Sequence, residues 1–92
     1  MTKVGEHITL DLIGITQEYE SSKFEKVIHK IAEAAKVTIL NISKYKFEPQ
    51  GFTILALLAE SHISFHTFPE KGMISFDFFT CGTVKPSIAI DI

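Results

Sequence analysis

With one cysteine in 92 residues the chain can form no intramolecular disulfide, and a reducing compartment is the expected setting. Excess positive charge is also missing. Nine basic side chains stand against eleven acidic ones, the formal net charge is −2, and the lysines are scattered. Nucleic-acid binding, which needs a basic patch or stripe, is not expected. The opening MTKVGEHITLDL is interrupted by Glu6, His7 and Asp11, which suits neither a signal peptide nor a membrane span. There are no repeats, low-complexity tracts or linkers. A cytoplasmic protein with a single domain over residues 1–92, away from membranes, is the expectation.

What the chain does have is apolar mass. Hydrophobic residues make up 46% of it, and eight are phenylalanines. So small a domain buries a modest share of its surface, and oligomerisation would help its core. The aromatic surplus is either apolar surface meant for a partner subunit or an aromatic-rich core.

Periodicity divides the chain into elements. Val4 to Ile13 sets His7, Thr9 and Asp11 against Ile8, Leu10 and Leu12, the alternation of a half-buried strand. Gly14 and the polar stretch Thr16 to Ser22 break it. Phe24, Val27, Ile28, Ile31, Ala34 and Ala35 then fall at helical spacing, with Ser22 and Glu25 as a capping box. From Val37 the β-branched run VTILNIS predicts a strand ending near Lys46, and Pro49 and Gly51 mark a turn. FTILALLA, Phe52 to Ala59, reads as a central strand covered on both faces. ISFHTF predicts a short alternating strand, Pro69 to Gly72 a turn, and Met73 to Phe79 a last strand. The tail from Thr83 to Ile92 suits either a helix or a strand. The order implies an α+β two-layer sandwich, an antiparallel sheet with a helix on one face. The other face also carries apolar residues, and a second copy of the chain is the expected cover.

Residues able to do chemistry cluster between Thr53 and Cys81: Glu60, Ser61, His62, His66, Glu70, Asp77 and Cys81. On a strand, His62 and His66 share a face but stand about 13 Å apart at about 3.3 Å per residue, too far for one metal, so no metal is expected. Cys81 is either a thiol nucleophile with His66 as base or a small buried hydrophobe. His29 on the helix and His7 on the first strand read as structural, although His7 can face a dimer cleft.

As one stretch, Glu60-Ser61-His62-Ile63-Ser64-Phe65-His66-Thr67-Phe68-Pro69-Glu70, with Gly72, Asp77 and Phe79-Thr80-Cys81-Gly82 following, closely resembles the prokaryotic pyruvoyl-dependent S-adenosylmethionine decarboxylase proenzymes. The resembling core spans Phe47 to Gly82, and the preceding strand–helix–strand fits that family's layout from about Gly5. The resemblance implies self-cleavage between Glu60 and Ser61. The Ser61 hydroxyl would attack the preceding carbonyl and turn amide into ester. Loss of the Ser61 α-proton would then eliminate the upstream chain as a carboxylate and leave dehydroalanine, which tautomerises and is hydrolysed by water, with loss of ammonia, to a pyruvoyl group, the cofactor, at position 61. Such an attack on a poor electrophile needs the bond positioned and its oxyanion stabilised. By the same resemblance His66 supports processing as acid/base, and Thr53 stands where the family places a second hydroxyl.

In the mature enzyme the resemblance implies a Schiff base between the ketone and the substrate amine, with the conjugated carbonyl taking up the electrons as CO₂ leaves. Cys81 matches the family's proton donor, and a thiol with an ordinary pKa of about 8.5 can supply that proton. Phe47 and Phe68 match the aromatic pair around adenine, where plain core packing is the alternative, and Glu70 matches the carboxylate on the ribose hydroxyls. The product would be decarboxylated S-adenosylmethionine for polyamine (spermidine) synthesis, made by a homodimer of processed protomers.

Two positions depart from the family's habit: Thr53 replaces the usual serine, and Phe68 a larger aromatic. Both keep the needed function, a hydroxyl and a stacking ring. Members of the family generally continue beyond the Thr-Cys-Gly motif with a second helix and a further strand, whereas Ile92 is the last residue here. Ser61 and His66 differ by an odd number, so one regular strand would point them to opposite faces. The scissile bond is therefore expected in an irregular segment, through a late strand start, a bulge, or an approach of His66 from the turn. Rival readings are a pyruvoyl decarboxylase of arginine or ornithine and a non-enzymatic regulatory homologue.

Overall fold

Strand alternation and helical spacing sort the side chains onto the two faces of one sheet. The computed structural model describes residues 5–15, 19–59 and 61–81. Its elements are β1 (Gly5–Ile13), α1 (Ser21–Ala35), β2 (Ile39–Lys46), β3 (Phe52–Leu58), β4 (Ser61–Phe68), a 3₁₀ turn (Pro69–Lys71) and β5 (Met73–Cys81). The strand order is β1-β5-β4-β3-β2, and every neighbouring pair is antiparallel. Short turns join β2 through β5 as a meander, while β1 closes onto the far side of β5.

One face is apolar. Ile54, Ala56 and Leu58 of β3, Ile63 and Phe65 of β4, and Ile74, Phe76 and Phe78 of β5 are all buried. Against them α1 lays Phe24, Ile28, Ile31, Ala32 and Ala35, one stripe at helical spacing. The ring of Phe24 meets Phe52 and Phe65 edge-on at 5.2 and 5.0 Å, and Phe65 reaches Phe76 at 4.9 Å. Much of the aromatic surplus therefore serves the core. Phe78 is 0% exposed at the centre of this layer. Phe78→Ala is expected to cost about 3–5 kcal/mol, read as a lower denaturation midpoint.

Several local expectations change. The helix starts at Ser21 with Glu20 as N-cap and no side-chain cap, so the Ser22–Glu25 box does not form. Glu25 instead accepts from Lys44 Nζ at 2.8 Å, tying α1 to β2. Ala34 is exposed and Ala32 takes its place in the core. The middle strand is β4, not the FTILALLA segment. Among the described residues only one face of β3 is covered, because Leu55 and Leu57 alternate away from α1 and are 48% and 55% exposed. The expected turn after β4 is the 3₁₀ segment, closed by Gly72 at φ 59° in the left-handed region. A side chain at Gly5 would collide with the Thr80 carbonyl and the Phe79 ring, so glycine lets β1 lie close on β5. The tail from Thr83 to Ile92 lies outside the described residues.

Candidate active site

The sheet face opposite α1 is polar. Alternation places His7, Thr9 and Asp11 of β1 there with Ser75, Asp77, Phe79 and Cys81 of β5, His62, Ser64 and His66 of β4, and Thr53 of β3. Thr53 and His66 are register partners, and Thr53 Oγ1 lies 3.0 Å from His66 Nδ1. The fold thus brings two predicted site residues together from separate strands. His62, as expected, shares His66's face but has different company. Its Nε2 is 3.0 Å from Asp77 Oδ2, which His7 Nε2 approaches at 2.7 Å. The other Asp77 oxygen accepts from the Ser64 hydroxyl. Farther along, Ser75 donates to Asp11 at 2.7 Å.

Ser61 is the first residue of β4, two residues after the turn position Ala59, and it is 8% exposed. Glu60, the other half of the expected scissile bond, lies outside the described residues. Pairing from Leu58↔Ser61 to Thr53↔His66 is unbroken. Consequently Ser61 shares the α1 face with Ile63 and Phe65, while His66 points the other way, about 16 Å along the strand at about 3.3 Å per residue. None of the three anticipated irregularities intervenes, because both neighbouring ladders hold β4 in register. The described chain does not bring Ser61 to His66. Cys81, partly exposed at the end of β5, pairs with Gly5. One step past His62↔Phe79 the register sets Thr80 beside Ser61, so Cys81 stands diagonally across from it. From His66, opposite Ser75, Cys81 is six residues away, about 20 Å, which removes the thiol–imidazole pair.

The family profile described as S-adenosylmethionine decarboxylase matches residues 6–92. The chain belongs to that family. An S-adenosylmethionine decarboxylase proenzyme of Brevibacillus brevis is 42% identical over 90 residues, spanning 95% of this chain and 68% of the relative. One from Methanococcus maripaludis is 41% identical over 93 residues, 98% of this chain and 76% of its own. The crystal structure of the adenosylmethionine decarboxylase from Aquifex aeolicus superposes with a TM-score of 0.79 at 34% identity, covering 98% of this chain and 74% of that one.

In this S-adenosylmethionine decarboxylase fold the expected ligand-contact residues gather at the end of the sheet away from Ser61. Phe68 closes β4, seven residues and about 23 Å from Ser61 at about 3.3 Å per residue. Its ring carries Lys71 Nζ at 5.7 Å. Glu70 follows in the 3₁₀ turn, exposed, with Gln50 Nε2 at 3.5 Å. Phe47 lies just beyond β2, half exposed, tilted against Tyr45 at 4.9 Å. A cleft of about 790 Å³ opens beside the start of α1 among Tyr19, Phe24, Lys44 and Gln50, and Phe47, Phe68 and Glu70 do not line it. A smaller hollow of about 410 Å³ on the polar face is lined by Asp11, His62, Ser64, His66 and Asp77. Of the residues expected to react, this hollow holds His66 and neither Ser61 nor Cys81. The Asp77 network had one sequence signal, the alternation that set His7, Thr9 and Asp11 on one face. Nothing local paired it with residue 77.

Proposed function

We propose that this chain is a self-processing, pyruvoyl-dependent decarboxylase of S-adenosylmethionine, with Ser61 as the source of the cofactor. The observation that carries the reading is the position of Ser61, a serine at the boundary between turn and strand. A cut before it leaves residue 61 as a chain terminus beside the end of β5, where Cys81 stands. That position suits a terminal pyruvoyl group, which supplies a ketone able to take up electrons as CO₂ departs. In this reading Cys81 delivers the proton to carbon.

His66, held by Thr53, is the acid/base of the cut. Because the uncut hairpin keeps Ser61 on the other face, its first rungs must separate from β3 before His66 can act. His66→Ala is expected to slow fragment appearance about 10²–10⁴-fold. An unchanged time course by mass spectrometry would remove His66 from the cut.

Phe47, Phe68 and Glu70 are too far from Ser61 to share a ligand with it in one protomer. A second copy laid antiparallel over the polar face brings one protomer's Phe68 end to the other's Ser61 end and covers Leu55 and Leu57. The reading is therefore of a homodimer with two sites, each completed across the interface, in the cytoplasm. Among the described residues no helix is long and apolar enough to cross a membrane.

Incubating the purified protein with carboxyl-labelled S-adenosylmethionine tests the reading. Two fragments and labelled CO₂ are expected. Release from arginine or ornithine, and none from S-adenosylmethionine, would overturn the substrate.

A further inference from the structure

Three strands converge on one carboxylate on the polar face. His7 and His62 are each the register partner of Phe79, from β1 and β4 respectively, so β5 runs between them. Asp77 lies two residues along β5 on the same face. The His62 ring stacks on Phe79 at 5.9 Å, and His7 meets that ring edge-on at 6.1 Å. Strand ladders and a shared aromatic ring thus hold both imidazoles, which gives more precision than loops do.

The resulting spacing has the dimensions of a metal site. The ligand atoms of His7, His62 and Asp77 lie within 4.8 Å of one another. A tetrahedral ion with bonds of about 2.0–2.1 Å requires ligand atoms about 3.3 Å apart. The two imidazole nitrogens stand 2.7 and 3.0 Å from Asp77 Oδ2, so these two separations need only a few tenths of an ångström of widening, and the nitrogens lie within 4.8 Å of each other. Ser64 already donates to the second carboxylate oxygen, as an outer-shell partner of a single-oxygen ligand would. Two neutral imidazoles and one carboxylate suit zinc, cobalt or nickel better than magnesium or calcium. The side chains of His7 and His62 are 48% and 44% exposed, which leaves a fourth position toward solvent.

We propose that His7, His62 and Asp77 form a divalent transition-metal site with three protein ligands and one open position. It is distinct from the His62–His66 pair, whose spacing excludes a shared ion. The bound ion takes the place of the two imidazole–carboxylate hydrogen bonds, with each ring neutral and its hydrogen on Nδ1.

Cobalt(II) titration of the full chain, followed by visible absorption and calorimetry, tests this. One equivalent is expected, with the intense d–d bands of a low-coordinate site. His62→Ala and Asp77→Asn should each weaken binding by roughly 100-fold or more, and Ser64→Ala by about 10-fold. His66→Ala, on the same face, should bind as the parent does. His7→Gln, on the edge strand, serves where the Asp77 variant does not fold. Cobalt affinity unchanged in His7→Gln and His62→Ala, or no d–d band at saturating cobalt, would leave a hydrogen-bonded triad only and overturn the site.

Discussion

A Ser61→Ala chain is expected to remain in one piece and to release no CO₂ from S-adenosylmethionine. Both losses have one cause. The hydroxyl is the proposed nucleophile of the cut, and the same residue is the proposed source of the ketone. Alanine removes one oxygen from a buried position on the same strand face as Ile63 and Phe65, so the strand should keep its place and its melting temperature should change little. Mass spectrometry over days reads the first loss, and a labelled-CO₂ assay reads the second. Fragments of residues 1–60 and 61 onward from the alanine chain would mean that another group cuts the bond.

The second large effect separates the cut from the reaction. Cys81→Ala is expected to process normally yet lose about 10²–10⁴-fold in kcat, with KM little changed, as for removal of a general acid. The side chain lies at the end of β5 opposite Gly5, where losing the sulfur leaves pairing with β1 intact. Register puts Ser61 on the α1 face and Cys81 on the other. Cleavage resolves this, because a terminal residue no longer has an upstream neighbour holding it to strand alternation. If the alanine chain cleaves and retains kcat within a few-fold, the proton comes from elsewhere.

Much of this was legible in the chain, and the gaps have physical causes. Helical spacing from Phe24 to Ala35 and the alternation of His7, Thr9 and Asp11 with Ile8 and Leu10 report burial directly, and those elements stand where expected. The FTILALLA run misled because apolar residues on both faces signal cover without saying whose. Among the described residues no element covers Leu55 and Leu57. The capping box failed because the helix starts at Ser21 with Glu20 as N-cap, which puts Ser22 inside the helix, and Glu25 bonds Lys44, 19 residues away. Parity warned that Ser61 and His66 would face apart, and the unbroken ladder leaves them so. His7 and Asp77 are separated by 70 residues, and no local pattern could have joined them.

The strand order has a further consequence for a protein cut before Ser61. The described downstream strands, β4 and β5, lie inside the sheet, with β3 on one side and β1 on the other, both from the upstream piece. This strand pair is clamped along both edges by strands of the upstream piece. It cannot be shed or exchanged without tearing two ladders at once, so the nicked protein should travel as a single body through dilution and gel filtration. The cost appears only after denaturation. Folding, unimolecular for the intact precursor, then becomes an encounter between two chains and depends on their concentration. Maturation would act as a ratchet: a sheet assembled easily as one chain is retained as two, and is hard to rebuild once lost.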